Sequence, residues 1–243
     1  MIEDLTRSFH IAVKDLREYY MKPGSISWGI LFPFVFALAF MIRRGGLTEW
    51  LAPGMISLAL FFGSTSMSAM SIVFERRMGS FERLLLFPVS YVCIALGKAL
   101  SSFLLGVISV VPVFLLAQIV LQVPPAHPLL LVISAILGAF ASSTFGVLLS
   151  FLVKQPEQVM VVFNLVRFPM MFLSDIIIPI SSMPQYLIPI VLALPLTYMT
   201  ESIRFSYTGT YDVVPPALSF AVTLIIGLVC LILASITIKR SKP

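Results

Sequence analysis

Charge is what this sequence has least of. Asp, Glu, Lys and Arg make up only 11% of its 243 residues, while 59% are apolar, and the mean hydropathy is +1.03. A soluble domain carries about 25% charged residues. This chain could not cover a water-facing surface, so composition alone points to an integral membrane protein. Histidine and cysteine are equally scarce. His10 and His127 are the only histidines, and neither a His-Glu-x-x-His nor a Gly-x-Ser-x-Gly pattern occurs, which argues against metal or hydrolytic chemistry. No metal, cofactor or catalytic residue is expected in the chain itself. Cys93 and Cys230 lie inside apolar runs and read as small packing residues. There is no phosphate-binding loop: Gly97-Lys98 is followed by Ala99 and lacks the upstream glycine. If ATP powers this protein, the motor is another chain. Strands alternating over about 10 residues are also missing, which excludes a membrane barrel. No internal repeat suggests two equivalent transporter halves. No cleavable signal is expected, because about two dozen residues of mixed polarity precede the first apolar run.

What remains is a set of long apolar runs. Spans of about 20 residues are predicted at 25–42, 50–74, 89–123, 129–153, 158–178 and 214–238. The third exceeds what a bilayer needs, so it should tilt, kink at Pro112 or project beyond the membrane. Before the first span, Leu5, Phe9, Val13, Leu16 and Tyr20 recur at helical spacing, with Arg7, Lys14, Arg17 and Glu18 on the other face. Residues 1–22 therefore read as an amphipathic helix lying in the membrane interface, ended by Pro23-Gly24. Trp50 is a candidate interfacial anchor. Residues 179–213 differ in kind, because Pro179, Pro184, Pro189 and Pro195 cut the apolar sequence into pieces too short to span. Two short helices, 184–194 and 196–207, are expected to dip into the outer side and return, with their backbone satisfied by protein or water.

With six spans both termini share one side. That side carries twelve Lys and Arg, including Arg76, Arg77, Arg83, Lys98 and Lys154, against Arg43, Arg44 and Arg204 on the other. Basic residues accumulate on the cytoplasmic side, so the termini are expected there. The net charge of +5 and pI near 9.4 then record cytoplasmic loops, and no nucleic-acid partner is implied. Serines inside the runs, such as Ser142, Ser143 and Ser150, read as helix-packing residues.

The segment after the second span is the most informative. Glu75-Arg76-Arg77-Met78-Gly79-Ser80-Phe81-Glu82-Arg83 packs five charges into nine residues and continues into Leu84-Leu85-Leu86-Phe87. Gly79-Ser80 supplies a break and an N-cap, and Glu82 sits in the first turn, where a negative charge suits the helix dipole. A short helix across the cytoplasmic face, within 75–87, is predicted. It is either a solvated basic loop or a lever that docks into a partner.

That run, followed by Pro88-Val89-Ser90 and Gly97-Lys98, resembles the pattern after the second span in the type-2 class of ABC transporter permeases. Phe168-Pro169-Met170-Met171-Phe172-Leu173-Ser174, Pro179-Ile180-Ser181-Ser182-Met183-Pro184, Pro195-Leu196-Thr197-Tyr198 and Ile203-Arg204 resemble the same family's fifth-span and re-entrant signature. The chain departs at Asp175, where that family usually has a glycine. The resemblance implies an all-helical permease domain in the plasma membrane. Its interfacial helix would be 1–22, its coupling helix 75–87, seated in a separate ATPase subunit, and its re-entrant cap 179–207. ATP and Mg would belong to that ATPase. Two permease subunits, alike or different, would form the pathway in contact with membrane lipid. Exported substrates would be hydrophobic drugs, lipids or lipid-linked glycans. Phe168, Phe172 and Pro179 would line that pathway or its gate.

Two intramembrane charges stand apart. Arg167 and Asp175 are costly in hydrocarbon, about 2.5–3.5 kcal/mol each near the centre, so both should face the bundle interior or water. They are eight residues apart, about 12 Å along a helix, and cannot form a simple adjacent pair. Either they face the pathway, or Arg167 satisfies neighbouring carbonyls. Glu201 and Arg204 are three apart and can pair locally as support for an outer gate. An ion-coupled transporter using Arg167 and Asp175, or a membrane scaffold without transport, are the alternative readings.

Overall fold

A computed structural model describes residues 2–41, 48–87, 89–122, 124–153 and 155–240. Arg43, Arg44, Pro88, Lys154 and Lys242 lie outside them. The described residues form eleven α-helices and no strand: α1 (Ile2–Tyr19), α2 (Pro23–Ile26), α3 (Phe32–Met41), α4 (Thr48–Arg77), α5 (Ser80–Leu86), α6 (Tyr91–Leu121), α7 (Pro128–Ser150), α8 (Val159–Leu173), α9 (Ile188–Ala193), α10 (Pro195–Thr208) and α11 (Pro216–Arg240). Five segments are long and apolar enough to cross a membrane: Pro23–Phe40, Trp50–Arg77, Tyr91–Val120, Pro128–Ser150 and Pro216–Arg240.

The second of these, α4, is the axis of the molecule. It is almost wholly buried and touches α3, α6, α7, α8 and α10. Around it the outward faces are apolar: Val111, Leu115 and Ile119 on α6, Leu129 and Val132 on α7, Ile225 and Ile232 on α11 are all exposed. A soluble protein rarely leaves so much contiguous apolar surface open. Hydrocarbon is the solvent that suits it, because every backbone polar group is satisfied inside a helix. The chain is a multi-pass membrane protein.

Small residues hold the bundle together. A Cβ added at Gly63 of α4 would lie 2.9 Å from the Gly106 Cα of α6, and one at Gly146 of α7 would lie 3.0 Å from the Thr65 Cα. The three helix backbones therefore touch, as they do where lipid removes the hydrophobic drive for association. Hydroxyls fill the remaining contacts. Ser68 and Ser102 pair at 2.6 Å, Ser150 donates to the Ser68 carbonyl at 3.1 Å, and Ser109 donates back to the Leu105 carbonyl at 2.7 Å.

The first membrane segment is not a uniform α-helix. A π-helical turn spans Ser27–Leu31, and the Phe32 N–H closes it on the Ser27 carbonyl. Pro33 follows at the second position of α3 and has no N–H to continue the ordinary ladder, so the register shifts just ahead of it. No break occurs at Pro112, since α6 runs through it for 31 residues, about 46 Å, longer than the hydrocarbon core is thick. The expected span 158–178 is shorter than predicted. Its helix, α8, has 15 residues, about 22 Å. It stops at Ser174 because Asp175 takes a left-handed φ of 60°. The expected helix 184–194 is also trimmed, to α9, because Pro184 opens a turn closed by the Leu187 N–H.

The α1 stripe divides in two. Ser8, Ile11, Ala12, Asp15 and Tyr19 face the protein, while Phe9 is 56% exposed and Val13 and Leu16 are half-buried. The apolar stripe expected from spacing therefore runs along the outer flank, and a second, partly polar face docks on α6.

If the α4–α6 contact sets the bundle, Gly63→Ala must push two backbones apart and should cost about 1–3 kcal/mol, read as a lowered thermal unfolding midpoint in detergent. Gly29→Ala, where the nearest atoms lie 3.5 Å from the added carbon, should leave the midpoint unchanged.

Candidate functional site

Three clusters of polar or aromatic side chains account for the residues singled out by sequence: one at the end of the bundle that carries α1 and α5, here called the inner end, one at the opposite end, called the outer, and one in the middle.

At the inner end, α4 stops at Arg77 and the chain reverses through Gly79, whose φ of 69° suits glycine. Gly79, not Ser80, is thus the N-cap of α5. The Ser80 hydroxyl instead donates to the Glu75 carbonyl at 3.3 Å, tying α5 to the last turn of α4. Glu82 occupies the first turn as expected. Phe81 is the anchor. It is buried against Ile11, Ile72, Ile94 and Val147, and its ring meets Phe151 edge-on at 5.9 Å. The other side of α5 is open. Arg83, Leu86 and Phe87 are exposed, as are Arg77 and Met78 just before the turn.

Beneath α5 lies an ion quartet, buried except for the partly exposed Lys14. Lys98 of α6, with no exposure, donates to Asp15 of α1 at 2.9 Å and to Glu75 of α4 at 2.5 Å. Lys14 reaches the other Glu75 oxygen, and the Ser101 hydroxyl donates to Asp15 at 3.4 Å. Burial pushes the Asp15 carboxyl above the ordinary carboxylate range, against the pull of Lys98. Glu75 therefore lies inside the chain and not on the face a partner could touch. Arg76 also turns inward, over the Phe151 ring at 5.5 Å and toward the Val153 carbonyl at 3.5 Å. Arg77 pairs with Glu157 across the end of the next membrane segments. A polar cleft of about 450 Å³ lies among Arg76, Arg77, Glu82, Gln155 and Glu157.

At the outer end, Arg204 and Glu201 of α10 do not pair with each other. The Arg204 Nε donates to Asp175 Oδ2 at 3.0 Å and its Nη2 to the Asp175 carbonyl at 2.5 Å. Its Nη1 donates to the Trp50 carbonyl at 2.8 Å, and its guanidinium stacks 3.4 Å over the Trp50 ring. Trp50 is thus a stacking platform for Arg204. Glu201 instead accepts the backbone N–H groups of Asp212 and Val213 at 3.0 Å and of Val214 at 3.4 Å, fixing the approach to α11. Asp175, Glu201 and Asp212 bring carboxylate oxygens within 4.8 Å of one another. Most of those oxygens already accept protein N–H groups, one from Arg204, so the cluster reads as a hydrogen-bonded latch. Pro179 begins a 3₁₀ turn whose Ser182 hydroxyl returns to its carbonyl at 2.7 Å.

In the middle, Arg167 of α8 is buried between Phe62 at 5.1 Å and Phe163 at 5.0 Å. Neither a carboxylate nor a carbonyl meets it among the described residues. Phe168 packs on Trp28, Phe32 and Phe62, whereas Phe172 is half exposed to the outside. Arg167 and Asp175 thus belong to separate clusters.

Nothing in these clusters assembles a nucleophile, base and oxyanion donor. What they offer is mechanical: a helix clamped to the bundle on one side and open on the other, and a charge latch at the opposite end. Such a build fits a membrane permease. Residues 7–208 match the ABC-2 type transporter family, and the chain belongs to that family. It is similar to the "Putative transport permease ycf38" of Cyanophora paradoxa, 30% identical over 189 residues, 74% of this chain and 64% of that protein. The protein of the same name from Porphyra purpurea is 24% identical over 211 residues, 79% of this chain and 71% of the relative. The "Probable multidrug ABC transporter permease YbhR" of Escherichia coli K12 is 23% identical over 161 residues, 65% of this chain and 44% of that protein. The matches thus span from under half to about seven-tenths of these relatives' lengths.

Sequence reasoning passed over Asp15, whose carboxylate sits on the buried face of α1, and over Met78, Leu86 and Phe87. The run Leu84-Leu85-Leu86-Phe87 carried the signal for the last two, since four large apolar residues on so short a helix cannot all face inward.

Removing the central cation should expose the quartet's logic. Lys98→Met leaves two buried carboxylates with only Lys14 beside them and should destabilise by about 3–5 kcal/mol. Adding Glu75→Gln should restore part of that loss, so a double-mutant cycle on thermal unfolding should give a clear coupling between the sites.

Proposed function

We propose that this chain is the membrane half of an ATP-driven exporter. It crosses the membrane six times, with α8 as the short fifth pass and both termini cytoplasmic. The pair α9 and α10 folds back from the outer side. Two such subunits, alike or different, enclose the pathway in the plasma membrane, and a separate ABC ATPase, with its ATP and Mg, supplies the motion. Hydrophobic or amphipathic molecules leave by alternating access.

The observation that carries this reading is the two-sided setting of α5. Phe81 and the quartet under it make α5 one body with α1, α4 and α6, so a push on α5 must be transmitted to membrane helices. Its free side presents Leu86 and Phe87 beside Arg77 and Arg83, a mix of large apolar and basic groups suited to a protein cleft and ill suited to water. Within the outer half, α10 is held by side chains at both ends. Thr197 and Tyr198 donate to the Val191 and Leu192 carbonyls that end α9, at 2.7 and 2.6 Å, which is how a returning helix pair keeps its carbonyls satisfied in hydrocarbon.

Co-expression with a neighbouring-gene ATPase tests the reading. The pair should co-purify, and Leu86→Asp with Phe87→Asp should abolish the association while the permease still elutes as a folded species. Glu82→Lys should leave the ATPase bound but reduce the stimulation of hydrolysis by substrate. Substrate uptake into inside-out vesicles that persists without any nucleotide hydrolase would overturn the proposal.

A further inference from the structure

Arg167 is a buried cation with no anion beside it among the described residues. It has no solvent exposure, and its Nε, Nη1 and Nη2 all lack a hydrogen-bond partner among the described residues. The other buried cations are matched: Lys98 by Asp15 and Glu75, Arg204 by Asp175. Those carboxylates are committed and sit in the inner and outer clusters. Arg167 has only the faces of Phe62 and Phe163. Ring faces return part of what a guanidinium loses on leaving water, and none of its five donors is satisfied by them. One turn earlier on α8, the Asn164 side-chain oxygen is also buried and unpartnered. Unpaired polar groups of this kind destabilise a membrane bundle, and their retention side by side calls for a partner from outside the chain.

The surroundings describe that partner. Trp28, Phe32 and Phe168 form a half-buried aromatic layer beside the arginine. Leu31 and Val35, next to Phe32 on the first membrane segment, are exposed apolar side chains. A ligand reaching Arg167 from this side passes through apolar surface and aromatic rings before it meets a charge. A small hydrated anion has no reason to take that route, and a neutral or cationic hydrophobe gains nothing at its end. We propose that Arg167 is the counter-charge for an acidic amphiphile, a carboxylate or phosphate on an apolar body. In this account the two phenylalanines are the resting place of the guanidinium, held by no hydrogen bond and free to leave when an anion arrives. That this ligand is the exported molecule rests on the transport reading above; the binding site itself does not.

The test uses the purified full chain in phosphatidylcholine nanodiscs with Trp50→Phe, which leaves Trp28 as the sole tryptophan and keeps a ring beside Arg204. Quenching of Trp28 by 9,10-dibromostearate is compared with quenching by its methyl ester at about pH 9, where the carboxyl group is ionised. The acid should bind about tenfold more tightly or better, as a charge-assisted pair in an apolar site requires. Arg167→Lys should retain the preference and Arg167→Met should abolish it. Arg167→Met should also unfold at a higher temperature than the parent, the opposite of what loss of a structural arginine produces. Displacement of the probe by phosphatidic acid assigns the site to acidic lipid headgroups, and displacement by unlabelled stearate alone assigns it to free acids. Equal quenching by acid and ester, or a preference unchanged in Arg167→Met, overturns the proposal. Because no ATPase is present, a failure of ATPase association leaves this result standing, and a failure here leaves the transport reading intact.

Discussion

The inner half of this protein hangs on one ammonium group. Lys98 reaches the carboxylates of Asp15 and Glu75 from within α6, and so gathers α1, the axial α4 and α6 at a single point. Any of the three charges alone would be expensive to bury; together with Lys14 they neutralise one another. The geometry makes α5 the end of a rigid limb. Its Phe81 enters the apolar cluster just beside the ions, and its start is fastened to the Glu75 carbonyl. Charge pairing and apolar packing thus act on the same short helix from two sides.

Above that point the bundle is organised by smallness. Gly63, Gly106 and Gly146 let three helices meet backbone to backbone, and serine hydroxyls bridge them or return to their own carbonyls. Water-driven burial cannot hold helices together inside hydrocarbon; close contact and local hydrogen bonds can. The same economy explains why α4 needs no apolar stripe. With protein on every side, its sequence has no face to distinguish.

Much of this was legible in advance. Five apolar runs became membrane-length helices within a few residues, because hydropathy records the solvent directly. The turn at Gly79 and the first-turn Glu82 were visible from local chemistry. The failures share a cause. Ser8 and Asp15 are polar residues on a buried face, so periodicity chose the neighbouring apolar stripe of α1 that includes Phe9. Glu201 and Arg204 looked like partners because they are three apart, but each answers to a group distant in sequence: Arg204 to Asp175, Glu201 to the backbone ahead of α11. The fifth run was too long on paper because nothing in its composition announces a left-handed residue. Tertiary pairing decides such cases, and a single sequence does not display it.

Asp175 has one more consequence. Its backbone stands where glycine is at ease and most side chains are strained, with aspartate among the tolerated exceptions. A glycine there would bend the chain equally well and leave it loose. The carboxylate instead tethers the bend to α10 through Arg204. For the outer ends of these helices to part, an arginine and an aspartate must separate in a nearly dry setting, and the tryptophan platform must be uncovered with them. This end of the bundle is therefore held by a bond with a threshold, so small fluctuations leave it closed and only a larger displacement parts its helices.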